Sequence, residues 1–185
     1  MLNFQVGVDA LPAGSAPRQM PERALESADG VLLSGRDRIR GLRSKSNSAT
    51  LRTELETAIS ELKSTWQQNF RLEEIGHPRL LREAAQIEIL AIVREALTNA
   101  AKHAGASLIV CEVTYEKSGV RVLCSDDGAG ISVDVLNAGG KMGRFGLLGM
   151  RERARTIGAG LEIRNGKQEG TVVLLTLGSQ AAFQS

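Results

Sequence analysis

The segment REALTNAAKH, Arg94–His103, decides how the rest of the chain is read. It closes the longest helical pattern in the sequence, Leu81 to His103, and Gly105 follows where a helix-terminating glycine is commonly found. Ile89, Val93, Ala96, Leu97 and Ala100 recur at three- and four-residue steps, giving one apolar face suited to packing on a sheet. Glu95, Asn99 and Lys102 are spaced by four and three residues and share the other side. A carboxylate, an amide and an ammonium in one row include the oxygen ligands that suit Mg²⁺, an ion that keeps waters and shares substrate phosphates. The same row equally suits an ordinary solvated helix face.

Outward from this helix, Leu51 to Gln67 reads as a helix with Leu51, Leu55, Ala58, Ile59 and Leu62 on one face. Asn69 to Ile75 alternates as a strand does. Leu108–Tyr115 and Val120–Ser125 are strand-like runs separated by Lys117-Ser118-Gly119, a hairpin signal. A polar, glycine-rich stretch runs from Asp126 to Phe145. Leu147–Ile157 is helical, and Leu161–Arg164 with Thr171–Leu177 forms a closing hairpin. This order predicts an α+β fold: a two-layer α/β sandwich, with a mixed sheet covered by helices on one face.

Upstream, residues 1–11 read as the last turns of a helix, and residues 12–21 (PAGSAPRQMP) as a loop. From Glu22 to Ser46, Ala24, Ala28, Val31, Leu32, Ile39 and Leu42 form a second helical stripe. Two such helices cannot bury their stripes alone, and a second copy of the chain would complete a bundle. The expected organisation is a helical hairpin over 1–47, a globular unit over 51–178 and a flexible tail over 179–185.

Composition narrows the function classes. Of 185 residues 42% are hydrophobic, enough for a core, but only 3% are aromatic. The core is therefore aliphatic, and the stacking platforms of single-strand nucleic-acid binders are lacking. The net charge of +2, from 23 basic and 21 acidic residues, calls for no polyanion, so no nucleic-acid partner is expected. No apolar run is long enough to span a membrane, and no secretion leader opens the chain. Cys111 and Cys124 lie in apolar stretches without metal-ligand spacing. They read as buried free thiols in a reducing compartment, with pairing still open if they lie on adjacent strands.

Two further motifs follow the helix. DDGAGI, Asp126–Ile131, comes directly after a strand. Its glycines allow close backbone approach, and a carboxylate at a strand end can accept a charge-assisted bond from an amino group such as that of adenine. An acidic surface turn would look the same. The loop is not a P-loop, since no Gly-Lys-Ser/Thr follows. GRFGLLGMRER, Gly143–Arg153, runs glycines into a helix start, whose N–H groups suit an anion. An ordinary loop-to-helix junction would also fit.

Taken together, REALTNAAKHAGAS, SDDGAGI and GRFGLLGMRERARTIGAGLEIRNGKQEGTVVLLTL resemble the N, G1 and G2 boxes of the GHKL superfamily. Within it they look like the catalytic domain of sensor histidine kinases of the nitrate-sensor type. The resemblance covers residues 51–177 and implies a Bergerat-type ATP-binding fold. It implies that Asn99 coordinates Mg²⁺ on the ATP phosphates, and that Glu95 polarises a metal-bound water or assists proton transfer. Lys102 and His103 would lie near the phosphates. Asp126 would bind the adenine amino group, with Gly128, Gly130 and Ile131 shaping the pocket. Residues 132–145 would form an ATP lid, Gly146, Leu147 and Gly149 would border the phosphates, and Thr171 would lie near the adenine.

The N-terminal arm resembles the dimerisation helices of the same kinases, in which the phosphoacceptor histidine precedes the matching stretch. His77, in Gly76-His77-Pro78, reads as a loop histidine and His103 belongs to the nucleotide motif. The chain is therefore expected not to phosphorylate itself. It is expected to act on a histidine-bearing dimerisation domain in trans, within a longer cytoplasmic or membrane-anchored homodimeric sensor that signals to a response regulator. A non-catalytic nucleotide-binding regulatory module and a GHKL ATPase working as a clamp are the alternatives. A clamp is expected to carry a transducer domain after residue 177, which favours the kinase.

Overall fold

The structure is a computed structural model, and it describes residues 50–132, 145–167 and 169–184. The hairpin expected over 1–47 and most of the expected lid lie outside the described residues. Helix α1 spans Leu51–Lys63, strand β1 Asn69–Ile75, helix α2 Glu83–His103, β2 Leu108–Glu116 and β3 Gly119–Asp126. Helix α3 spans Phe145–Thr156, β4 Gly160–Asn165, β5 Thr171–Gly178 and the short α4 Ser179–Ala182. The five strands form one sheet in the order β1-β2-β3-β5-β4. β1 and β2 run parallel and every other neighbour is antiparallel. A parallel pair needs a crossover, and α2 supplies it.

The pleat sorts the side chains into rows. Leu72, Cys111, Cys124, Val173 and Ile163 lie in register across all five strands. Val113, Val122, Leu175 and Leu161 form the next row. This face packs against α2, whose buried side is Ala85, Ile89, Ile92, Val93, Ala96, Leu97, Ala100 and Ala101. The stripe is broad because α2 is covered on two sides, by the sheet and by α1 through Leu51, Leu55, Ala58 and Ile59. Arg94 pairs with Glu61 at 2.9 Å and Arg153 with Glu88 at 3.1 Å, tying α1 and α3 to α2.

The elements predicted over residues 51–177 all appear, with shifted ends. α1 stops at Lys63 instead of Gln67: the Leu62 carbonyl accepts from both the Thr65 and Trp66 amides in a closing turn, and Trp66 packs on the core. α2 starts at Glu83 instead of Leu81, because Leu81 forms a β-bridge with Phe183. That bridge also corrects the expectation of a flexible tail. Ala182 and Phe183 are buried, and the Arg82 amide donates to the Ala182 carbonyl at 2.8 Å. The Phe183 ring stacks on Tyr115 at 6.4 Å, and the Arg79 guanidinium lies 3.7 Å from its centroid. Burial of Tyr115, with Glu74 nearby, pushes its phenol up to about 12, so it stays neutral in this apolar corner.

Phe183→Ala removes the apolar anchor of this strap. It is expected to lower unfolding free energy by about 3 kcal/mol, read by urea denaturation.

Candidate nucleotide site

The site lies where the apolar rows of the sheet end. On β3, Val120, Val122, Cys124 and Asp126 share one face, so the alternation that buries three apolar residues delivers a carboxylate at the fourth step. Asp126 is paired with Ile109 on β2, and Thr171 with Asn165 on the other side. Over this terminal row the apolar side of α2 and its C-cap presents Ala96, Ala100 and Ala104, at helical steps of four. Their small side chains leave a cavity of about 390 Å³ where larger ones would fill it. Its walls are apolar at Ile109, Cys124, Met150 and Val173.

Polar groups converge on this space from separate elements. Glu95, Asn99 and His103 come from α2, Asp126 from the end of β3, Gly130 and Ile131 from the loop after it. Gly146 and Leu147 come from the start of α3, and Thr171 from β5. Asn99 Nδ2 donates to Glu95 Oε1 at 3.1 Å, which holds the two side chains together. Gly128 N–H donates to Asp126 Oδ1 at 2.9 Å, so the carboxylate is oriented from behind.

Three glycines let the loops close in. A Cβ on Gly128 would strike the Ala104 carbonyl, one on Gly146 the Glu95 carboxylate, and one on Gly170 the Asp126 carbonyl. Gly170 also has φ +77°, a conformation that L side chains rarely adopt. Gly128 therefore seats the loop against the end of α2 and does not line the cavity. Lys102 and Gly149 do not line it either: Lys102 is exposed, and a Cβ on Gly149 would meet nothing.

Two residues that brace the loops around the site escaped the sequence. Asn165 Oδ1 accepts from the Ile131 amide at 2.7 Å and its Nδ2 donates to the Ile131 carbonyl at 2.9 Å. It thus clamps the loop beside Gly130. Asp127, next to the site carboxylate, turns away to accept from the Ser107 and Leu108 amides at 2.8 and 2.9 Å. The bonds from Leu108 and Ser107 hold its carboxyl below the usual range. It staples the α2–β2 connection.

Among the described residues no three His, Cys, Asp or Glu side chains group as a metal site. The neighbouring oxygens of Glu95 and Asn99 fit a hard cation that takes its other ligands from phosphate and water.

Residues 84–181 match the family model described as histidine kinase-, DNA gyrase B- and HSP90-like ATPase. The chain is 27% identical over 180 residues to the nitrate/nitrite sensor protein NarX of Escherichia coli, covering 97% of this chain and 29% of that protein. It is 35% identical over 132 residues to the sensor protein NarQ homolog of Haemophilus influenzae, covering 70% of this chain and 22% of that one. The chain thus spans less than a third of these relatives. The histidine kinase domain of the Erythrobacter litoralis EL346 blue-light activated kinase has a TM-score of 0.61 at 18% identity, covering 94% of this chain and 92% of that one. The catalytic domain of the histidine kinase ThkA gives 0.59 at 16%, covering 70% and 94%. The chain belongs to the histidine kinase-, DNA gyrase B- and HSP90-like ATPase family. Its fold is that of the ATP-binding catalytic domains of histidine kinases, and ATP is the ligand the family implies.

Gly170→Ala forces a Cβ into the Asp126 carbonyl and strains φ. It is expected to destabilise the fold by about 1–3 kcal/mol and to abolish nucleotide binding, read by thermal melts and calorimetry. Asp127 has a depressed folded pKa, so its contribution is present above the ordinary carboxylate value of about 4 and is lost as pH falls through the folded value. Asp127→Asn is expected to melt below the parent chain at neutral pH, with the gap closing in acid.

Proposed function

We propose that residues 51–178 form the ATP-binding catalytic unit of a two-component sensor histidine kinase, which donates the ATP γ-phosphate to a histidine on a dimerisation domain. One observation carries this reading: Glu95, Asn99, His103 and Asp126 face one cavity although they come from two elements. The cavity combines apolar walls at Ile109, Met150 and Val173 with these polar groups, as a base with a phosphate tail requires. Asp126 accepts from the adenine amino group, and Thr171 and the Gly130 backbone frame the ring. Ile109, Met150 and Val173 exclude water beneath it.

At the other end, Asn99 would hold Mg²⁺ by its amide oxygen, with the Glu95 carboxylate beside it. The ion, when bound, neutralises phosphate charge. His103 and the start of α3 at Gly146 and Leu147 line the same cavity, and the imidazole and the helix N–H groups would face the phosphates. Glu95 assists proton transfer from the attacking imidazole. Phosphoryl transfer needs chiefly positioning and charge neutralisation, and this chain supplies both without a covalent intermediate of its own. The relatives named as nitrate/nitrite sensors support a sensor of that kind, with a response regulator as the downstream partner. A homodimer is the assembly that the stripes of residues 22–46 favour.

The chain, mixed with labelled ATP, Mg²⁺ and a purified histidine-bearing dimerisation domain, is expected to place acid-labile phosphate on that domain. Steady release of free phosphate without transfer would instead identify an ATPase, and binding alone a regulatory module. Asp126→Ala forfeits a charged hydrogen bond of about 1.5–3 kcal/mol. ATP affinity is expected to fall about 10- to 150-fold by titration calorimetry, and near-unchanged binding would overturn the adenine assignment.

A further inference from the structure

A pair of thiols lies one sheet row behind Asp126. Cys111 and Cys124 face each other across β2 and β3, both buried, with their sulfurs 4.0 Å apart. On the same ladder the Asp127 amide donates to the Leu108 carbonyl, so residues 108 and 127 are a hydrogen-bonded pair. Such pairs alternate with non-bonded ones along an antiparallel ladder. Three residues further on, Cys111 and Cys124 form a non-bonded pair, where facing Cα atoms are about 4.5 Å apart and side chains approach most closely. That separation is at the short end of the range a disulfide spans, about 4.4–6.8 Å. A disulfide closed there is strained, and strained disulfides are the easily reduced ones. Access is one-sided. Cys111 is fully enclosed, whereas Cys124 forms part of the cavity wall.

We propose that Cys111 and Cys124 are a reversible redox site: a peroxide entering the empty cavity converts them to a cross-strand disulfide that weakens ATP binding, and bound ATP blocks the reaction. This rests on reading the cavity as the nucleotide site. The Cys124 sulfur attacks one oxygen of hydrogen peroxide. The O–O bond breaks, a sulfenic acid forms on Cys124 and one water leaves. The Cys111 sulfur then attacks the Cys124 sulfur. The S–S bond forms, the S–O bond breaks and a second water leaves. The two thiols give up two electrons and two protons, and the peroxide takes both. A dithiol reductant reverses the change.

Closing a 4.0 Å gap to a bond of about 2.05 Å moves the Cys124 sulfur along the cavity wall and strains the β2–β3 pairing one row behind Asp126. At rest the bond from Cys124 to Cys111, together with burial, pushes the Cys124 thiol well above its ordinary value. It stays protonated near neutral pH, so the oxidation is slow and needs sustained exposure.

The test exposes the chain to hydrogen peroxide with and without a saturating non-hydrolysable ATP analogue and Mg²⁺, followed by alkylation under denaturing conditions and intact mass. The nucleotide-free chain is expected to lose two hydrogen atoms and resist alkylation until reduced, while Cys111→Ala forms no intramolecular disulfide. Nucleotide is expected to slow the reaction about tenfold, and the oxidised chain to bind the analogue about tenfold more weakly. Thiols that stay alkylatable after exposure overturn the proposal. So does a disulfide that forms equally fast with nucleotide present, or one that leaves affinity unchanged. A reduced chain that binds no nucleotide overturns the site reading and with it the protection. The mass of the nucleotide-free chain tells that failure apart from failure of the thiol pair.

Discussion

Helix α2 packs along the apolar face of the sheet with large side chains at Ile89, Ile92, Val93 and Leu97, and toward its end with small ones at Ala96, Ala100 and the capping Ala104. The rest of the molecule depends on that change of size. Where the helix is large the rows interlock and hold the two layers together. Where it is small the sheet continues under it, and the gap is the cavity. The same two surfaces therefore make both the core and the site, and the site inherits the rigidity of the core. β3 then needs only its ordinary alternation to deliver Asp126 to the bottom of that gap.

The loops complete the arrangement by close backbone approach. Gly128 admits the end of α2, Gly146 admits the Glu95 carboxylate to the start of α3, and Gly170 admits the Asp126 backbone to the β4–β5 turn. Each contact joins segments distant in the chain. The Asn165 clamp on Ile131 acts likewise, tying the β4–β5 hairpin to the loop after Asp126. Nucleotide at the centre would touch all of these segments at once. Family membership and the likeness to histidine kinase catalytic domains agree with this geometry.

Much of this was legible in the sequence, for definable reasons. Period-two alternation over Val120–Asp126 and the long helical stripe of α2 are local patterns, and local patterns survive into the fold. Helical spacing placed Lys102 with Asn99, but it names a side of the helix and not the part that faces the cavity. A step of three residues turns about 60° one way and a step of four about 40° the other, and the cavity lies on the side reached by His103. Asn165 was hidden because an asparagine before Gly166 looks like any turn residue, and only the pairing of β4 with β5 places it beside Ile131. The tail was misread for a similar reason. Its polar ends suggest fraying, whereas Phe183 finds its partners at Arg79, Leu81 and Tyr115, all far away in sequence.

The central claim is that nucleotide occupies the gap between the alanines of α2 and the terminal row of the sheet. Amide hydrogen exchange with and without an ATP analogue and Mg²⁺ tests it most directly. The account predicts new protection at Asp126–Ile131, at the first turn of α3, at Gly170–Thr171 and in the second half of α2, with no change at α1 or the docked tail. Protection centred on Arg79, Arg82 and the tail, or no change at Asp126–Ile131 under saturating nucleotide, would contradict it.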